Sequence, residues 1–151
     1  MDINEYLKVQ KTKPRDSQRK RVYRWESALI QQYRITATLS LEDCEALVRQ
    51  ICADYNRTMP SVEDGRGRRS ACYKHSAHSI CLPKWTRSRW YVCHEVAHSF
   101  FSRNSRIEPH GPEFMATHIN LLAKYARDEI KMSADGMRAS AIDSGLRVAE
   151  L

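Results

Sequence analysis

Apolar residues recur three or four positions apart in five stretches of this chain of 151 residues, which is the spacing of a buried helix face. These stretches predict helices over about residues 16–32, 41–54, 86–103, 112–127 and 133–144. Ser40 and Asp43 resemble a capping box at the start of the second helix. Gly111-Pro112 favours the start of the fourth, because proline suits the first helical position. The other expected boundary residues are Asp16 or Ser17, Asn104-Ser105, Ser133 or Asp135, and Gly145.

Alternating or β-branched stretches between these helices predict strands. The clearest covers residues 33–39, and shorter ones cover residues 59–63, 69–75 and 78–82. The last two flank a turn at Ser76-Ala77 and therefore predict a hairpin. The resulting order of elements indicates an α+β domain with a short mixed or antiparallel sheet packed against helices. A single domain over residues 16–151 is expected, after a basic N-terminal arm of residues 1–15.

The net charge is +7, from 25 basic and 18 acidic residues, and the basic excess is clustered. One cluster lies within the first 24 residues and includes the N-terminal arm, and another consists of Arg66, Arg68 and Arg69. Such patches favour a polyanionic partner, nucleic acid above all. A solvated basic surface is equally compatible with the charge alone.

No apolar run approaches the length of a membrane span, and the first residues lack the apolar core of a signal peptide. The sequence therefore predicts no membrane association and a cytoplasmic location. The five cysteines agree with a reducing compartment, since their number is odd and no two form a Cys-x-x-Cys pair. Cys72 and Cys81 could face each other across the hairpin, but buried free thiols are the favoured interpretation.

The strongest chemical signal is the motif His94-Glu95-Val96-Ala97-His98, which lies within the third predicted helix. Residues four apart lie one helical turn apart on the same face, so the two imidazoles can bind one metal ion. The carboxylate of Glu95 can reach a metal-bound water without being a ligand. This pattern predicts a zinc hydrolase in which His94 and His98 are ligands and Glu95 is the general base.

A catalytic zinc ion usually has three protein ligands and one water. A third histidine six residues after His98 would indicate a metzincin, but that position holds asparagine. His110 is the best candidate for the third ligand, because prolines on both sides stiffen its backbone and the following glycine permits close approach. Glu113 is the rival, either as a ligand or as an acceptor that orients an imidazole. Glu108 is a weaker alternative.

The remaining histidines have weaker claims to a metal. His75 and His78 lie in or near the hairpin, where exposed turn histidines are a better interpretation than a second metal site or a substrate contact. His118 lies within the fourth predicted helix and is expected to be a hydrogen-bonded structural residue. The three tryptophans are expected in the core or at its rim rather than as platforms for nucleobases.

Several segments resemble a family of metallohydrolases from actinobacteria and their phages. The segments are Ile80-Cys81-Leu82-Pro83-Lys84-Trp85, the His94-Glu95-Val96-Ala97-His98 motif, Pro109-His110-Gly111-Pro112-Glu113-Phe114 and the opening run Arg15-Asp16-Ser17-Gln18-Arg19-Lys20-Arg21-Val22-Tyr23. The resemblance extends over about residues 14–150 and is strongest over residues 80–114. It implies a small zincin-like domain in which a short sheet packs on the helix that carries the active site.

The motif helix followed by His-Gly-x-x-Phe is, more distantly, similar to the SprT-like (Spartan-like) zinc proteases. In that family the histidine of the His-Gly pair is the third metal ligand, which corresponds to His110. Those enzymes cleave proteins, often proteins bound to DNA, so the resemblance implies a peptidase with a protein or peptide substrate. The SprT-type zinc ribbon has no counterpart here, since no cysteine follows Cys93. The basic arm could replace it in binding DNA.

The combined expectation is a zinc-dependent peptidase with zinc bound by His94, His98 and His110. The alternatives are a nucleic-acid-binding protein with a structural or inactive zinc site, and a metallohydrolase of a non-peptide ester or amide. The strand near residues 80–82 is expected to pair with an extended substrate. The residues considered for stabilising the oxyanion are Tyr91, His78 and Tyr73.

Overall fold

The computed structural model describes residues 2–3, 15–101 and 105–150, so most of the predicted N-terminal arm lies outside the described residues. The described helices are α1 Arg19–Gln32, α2 Leu41–Asp54, α3 Arg89–Ser99, α4 Pro112–Tyr125 and α5 Ala134–Asp143. The described strands are β1 Ser61–Asp64, β2 Cys72–Lys74 and β3 Ser79–Leu82. The predicted α+β class with a small mixed sheet is confirmed. None of the described helices is long and apolar enough to cross a membrane.

The sheet has the strand order β1-β3-β2, with β3 parallel to β1 and antiparallel to β2. All four residues of β3 are buried, and Ile80 and Leu82 belong to the hydrophobic core. Because β3 is the central strand, both of its edges are already hydrogen-bonded. The prediction that the strand near residues 80–82 pairs with a substrate is therefore wrong, and β1 and β2 are the edge strands.

Residues 33–39 do not form the predicted strand. Arg34 has a left-handed backbone with φ of 53°, and the amide of Ile35 donates to the carbonyl of Ile30. This is the geometry of a chain that closes the carboxyl end of a helix, here α1. Beyond it, the amide of Leu39 donates to the carbonyl of Arg87. The alternating apolar residues therefore belong to a loop that buries Ile35 and not to a strand of the sheet.

Most predicted helix boundaries are confirmed within a few residues, with two corrections. The N-cap of α1 is Gln18, without a side-chain hydrogen bond, because Asp16 and Ser17 bind other partners. The helix with the histidine motif ends at Ser99 rather than near residue 103. The predicted terminator Asn104 lies outside the described residues. Ser40 and Ser133 cap α2 and α5 as predicted.

Helix α3 lies in the centre of the domain, in contact with α2, α4 and β2. Its residues 92–97 are all buried, so the helix has no solvent-facing side over this stretch. A helix that is buried on all sides needs partners for every polar side chain that it carries. The two polar residues of this stretch, His94 and Glu95, therefore need partners inside the protein, whereas polar residues on the surface of an amphipathic helix are satisfied by water.

The first amides of α3 are satisfied by two side chains. The Glu129 carboxylate accepts the amide N–H of Arg89 (2.7 Å) and of Trp90 (2.9 Å). Ser88 Oγ accepts the amide N–H of Tyr91 at 3.4 Å. The first amide N–H groups of a helix have no acceptor within the helix, and these bonds supply one. The Glu129 carboxylate also places a negative charge at the N-terminus of α3, which is the positive end of the helix dipole.

Replacing Glu129 with alanine should lower the free energy of unfolding by about 1–3 kcal/mol, because two partly buried amides lose their acceptor. Chemical denaturation followed by circular dichroism measures this change. The matched control is Glu150→Ala, since the Glu150 side chain is 97% exposed and should contribute less than about 0.5 kcal/mol. Equal stability of the two variants would contradict the proposed role of Glu129.

Candidate metal centre

The three histidines predicted as ligands lie together in the structure. His94 and His98 are one turn apart on α3, and their Nε2 atoms are 3.1 Å from each other. His110 lies in the turn that precedes α4, where the Gly111 amide donates to the carbonyl of Glu108. One ring nitrogen from each histidine lies within 4.8 Å of the other two. This group could hold a metal ion.

The two donor atoms of α3 have a separation that suits a tetrahedral ion. Nitrogen ligands at about 2.0–2.1 Å from such an ion lie roughly 3.3 Å from one another, close to the 3.1 Å between His94 and His98. Nε2 of His110 is buried without a hydrogen-bond partner. A buried ring nitrogen without a partner costs free energy, and a metal ion would supply that partner.

Two carboxylates orient the imidazoles. Nδ1 of His94 lies 2.8 Å from Glu26 Oε2, and Nδ1 of His110 lies 2.8 Å from Asp16 Oδ2. A carboxylate at Nδ1 fixes the proton there and leaves the lone pair of Nε2 for a metal ion. Neither carboxylate was predicted in this role. Asp16 lies within the opening run of the family resemblance, but its expected role was a helix cap.

Glu26 is the centre of a buried hydrogen-bond network. In addition to His94, its Oε2 accepts the indole N–H of Trp90 (2.7 Å) and lies 3.0 Å from His118 Nε2. Burial raises the pKa of the Glu26 carboxyl, but His94 and His118 outweigh burial and hold it well below its usual range. Glu26 is therefore ionised. The predicted hydrogen bond of His118 is confirmed.

The electrostatics of the three predicted ligands differ. Burial lowers the pKa of His94, but the Glu26 carboxylate outweighs it and raises the pKa to about 9. Burial together with the neighbouring His94 and His110 holds the pKa of His98 well below its usual value. Burial also lowers the pKa of His110, although Asp16 opposes this effect. His98 and His110 are thus neutral, the form in which an imidazole binds a metal.

A second group of side chains also has the spacing of metal ligands. It consists of Glu26, His94 and His118, all of which are buried. Its atoms already hydrogen-bond to one another at 2.8 and 3.0 Å, so an ion there would have to displace both bonds. In the three-histidine group, an ion would replace one contact alone among those described, between Nε2 of His94 and Nε2 of His98. We therefore favour the three-histidine group as the metal centre.

Glu95 lies beside this group with a carboxylate oxygen free. Its Oε1 is 3.8 Å from His94 Nε2, and its Oε2 is buried without a hydrogen-bond partner. Burial raises the pKa of Glu95, the charge on His94 lowers it and Glu26 raises it, with a result of about 7. The side chain can therefore exchange a proton with a water molecule held at the centre.

His94 and Glu95 form part of the wall of an open cleft of about 300 Å³. Aromatic residues line much of this cleft, namely Tyr23, Trp85 and Tyr91. Trp85 is 53% exposed, as expected for a rim residue, whereas Trp25 and Trp90 are in the core. The cleft leads from solvent to the carboxylate of Glu95.

The residues considered for oxyanion stabilisation have different positions. Tyr91 lines the cleft. Tyr73 and His78 are not part of the cleft wall, and the Tyr73 hydroxyl lies 2.7 Å from Nδ1 of His78 within the hairpin. His78 Nε2 also contacts the Thr58 carbonyl at 3.0 Å, so it is a structural residue. Tyr23, which is outside the predicted set, lies beside the histidine group: its ring centroid is 5.2 Å from that of His110.

The rival ligands do not join the metal-capable group among the described residues. Glu113 is half-buried in the first turn of α4. Glu108 accepts hydrogen bonds from Ser17 and from Arg147, the latter at 3.0 Å, and therefore has a structural role. His75 and His78 also belong to no such group in the described part of the chain.

Comparisons of the chain with protein-family models, curated proteins and solved structures find no match. The resemblance to metallohydrolases and to SprT-like proteases therefore stays a prediction, and the geometry of the site carries the functional argument.

Replacing Glu26 with glutamine should weaken zinc binding by about 10–100-fold, because a neutral amide holds the Nδ1 proton of His94 more weakly than a carboxylate does. Competition with a chromophoric chelator measures the affinity, and circular dichroism checks that the fold is retained. Glu113→Gln is the matched control and should bind zinc like the parent. A loss of affinity in Glu113→Gln that equals the loss in Glu26→Gln would contradict these assignments.

Proposed function

We propose that the protein is a zinc-dependent hydrolase, specifically a peptidase, with His94, His98 and His110 as the zinc ligands. The observation that carries this proposal is the convergence of three imidazole nitrogens beside the free carboxylate of Glu95. Three imidazoles, two of which are oriented by carboxylates, are a ligand set that suits zinc. Zinc, when bound, acidifies a water molecule and polarises a substrate carbonyl.

The side chains of the chain would handle the protons of the reaction. Glu95 accepts a proton from the attacking water and then donates it to the leaving amine. Its buried position favours this exchange, because the pKa of about 7 lets the carboxyl both take and release a proton near neutral pH. Glu26 and Asp16 keep the two histidines in place throughout the cycle.

A peptide is the favoured substrate because the cleft borders the segment that leads into an edge strand. Ser70 and Ala71, which precede β2, line the cleft together with His94 and Glu95. Among the described residues, β2 pairs with β3 alone, so its other edge is free to hydrogen-bond to an extended chain. The exposed indole of Trp85 and the ring of Tyr91 would contact apolar side chains of that substrate.

The alternative functions receive less support. A structural zinc site is closed by four protein ligands, whereas the described residues bring together three. A non-peptide ester or amide would use the same chemistry, but it would not use the strand edge. Arg66, Arg68 and Arg69 are exposed in the loop before β2, and a nucleic-acid partner for them stays a prediction.

Replacing Glu95 with glutamine should reduce hydrolysis of an unfolded protein substrate by at least about 100-fold, because the amide cannot accept the proton of water. The variant should still bind zinc with the affinity of the parent. Gel-based cleavage assays, run with and without DNA, measure the activity, and zinc is assayed in parallel.

The matched control is Glu113→Gln, which should cleave like the parent. A strong chelator should abolish cleavage by the parent, and added zinc should restore it. Undiminished cleavage by Glu95→Gln, or cleavage that survives the chelator, would refute the mechanism.

A further inference from the structure

Two cysteines lie opposite each other on neighbouring strands. Cys72 on β2 and Cys81 on β3 are directly paired in the antiparallel register. Opposite residues in such a ladder have Cα atoms about 4.5–5.5 Å apart, with both side chains on the same face of the sheet. Disulfides require Cα separations of about 4.4–6.8 Å, so the backbone already permits a bond between the two sulfur atoms.

The pair lies on the face of the sheet opposite to Ile80 and Leu82. Ile80 and Leu82 belong to the hydrophobic core, and Cys81 between them points to the opposite side and lies outside that core cluster. Cys81 is 2% exposed, whereas Cys72 is half-buried and is the thiol that a reagent in solution reaches first. The remaining cysteines are inside the core, namely Cys44, Cys52 and Cys93.

The side chains around the pair suit thiol exchange. The Arg68 guanidinium lies 3.7 Å from the sulfur of Cys72. The thiol of Cys81 donates to Glu63 Oε2 on β1 at 3.5 Å, so its proton has an acceptor at an exposed residue. Burial and the neighbouring Cys72 raise the pKa of Cys81, which is consistent with Cys72 reacting first.

We infer that Cys72 and Cys81 are a redox-active pair that closes into a reversible cross-strand disulfide in the presence of a glutathione-type disulfide oxidant. The sulfur of Cys72 attacks one sulfur of glutathione disulfide, and one glutathione thiol leaves. The sulfur of Cys81 then attacks Cys72 in the mixed disulfide, gives up its proton and releases the second glutathione. The protein loses two electrons and two protons, and the oxidant gains them.

The bond would tie the edge strand β2 to the central strand β3. The residues just before β2, Ser70 and Ala71, line the cleft beside His94 and Glu95. Oxidation would therefore fix the strand that follows this part of the cleft wall. The pair itself depends on the register of the sheet and not on the proposed zinc chemistry, so the two proposals can fail separately.

The test is treatment of the full chain with millimolar glutathione disulfide, followed by intact mass spectrometry and peptide mapping without reduction. The parent should lose the mass of two hydrogens and give one cross-linked species joining the peptides with residues 72 and 81. Dithiothreitol should restore the original mass. Cys81→Ser should stop at a glutathione adduct on Cys72, and Cys72→Ser should form no disulfide.

Cys52→Ser is the matched control and should oxidise like the parent, because Cys52 lies in the core. The inference is overturned if the parent stays unmodified or accumulates only the glutathione adduct. It is also overturned if the mapped disulfide involves another cysteine, or if Cys72→Ser oxidises as fully as the parent. Mapping of the parent alone decides the matter even if Cys81→Ser does not fold.

Discussion

The buried carboxylate of Glu26 is the interaction on which the rest of the structure depends. One oxygen of this α1 residue is shared by Trp90 and His94 of α3 and by His118 of α4. Burying a charge is costly unless it is paired and hydrogen-bonded. The hydrogen bonds to the three partners offset that cost. The carboxylate also fixes three helices relative to one another and sets the orientation of His94.

The second orienting carboxylate depends on a clamp between distant parts of the chain. Gln18 exchanges two hydrogen bonds with the backbone of Arg147, at 3.1 and 3.0 Å. Ser17 and Arg147 both bind Glu108, which lies two residues before His110. The segment before α1 is thereby held against the turn that carries His110, so Asp16 reaches its imidazole. Contacts near the two ends of the described chain thus support one ligand of the metal centre.

Local features could be predicted from the sequence, and features that depend on tertiary structure could not. Helical periodicity located all five described helices, and the spacing of His94 and His98 placed two imidazoles on one face. The role of Glu26 has no local signature, because its partners lie 64 to 92 residues away. Strand order is equally non-local, since the pattern of residues 79–82 indicates burial without indicating that both edges are paired. Residues 33–39 alternate like a strand, but a left-handed residue and the end of α1 decide their conformation.

The position of the bound ion is the most direct test of the assignment of His94, His98 and His110 as the metal ligands. Crystals of the zinc-loaded protein, measured at the zinc absorption edge, locate the metal without reference to activity. We expect one anomalous peak at about 2.0–2.1 Å from a ring nitrogen of each of His94, His98 and His110. A peak within the group of Glu26, His94 and His118, or a centre closed by Glu113 as a fourth ligand, would contradict it.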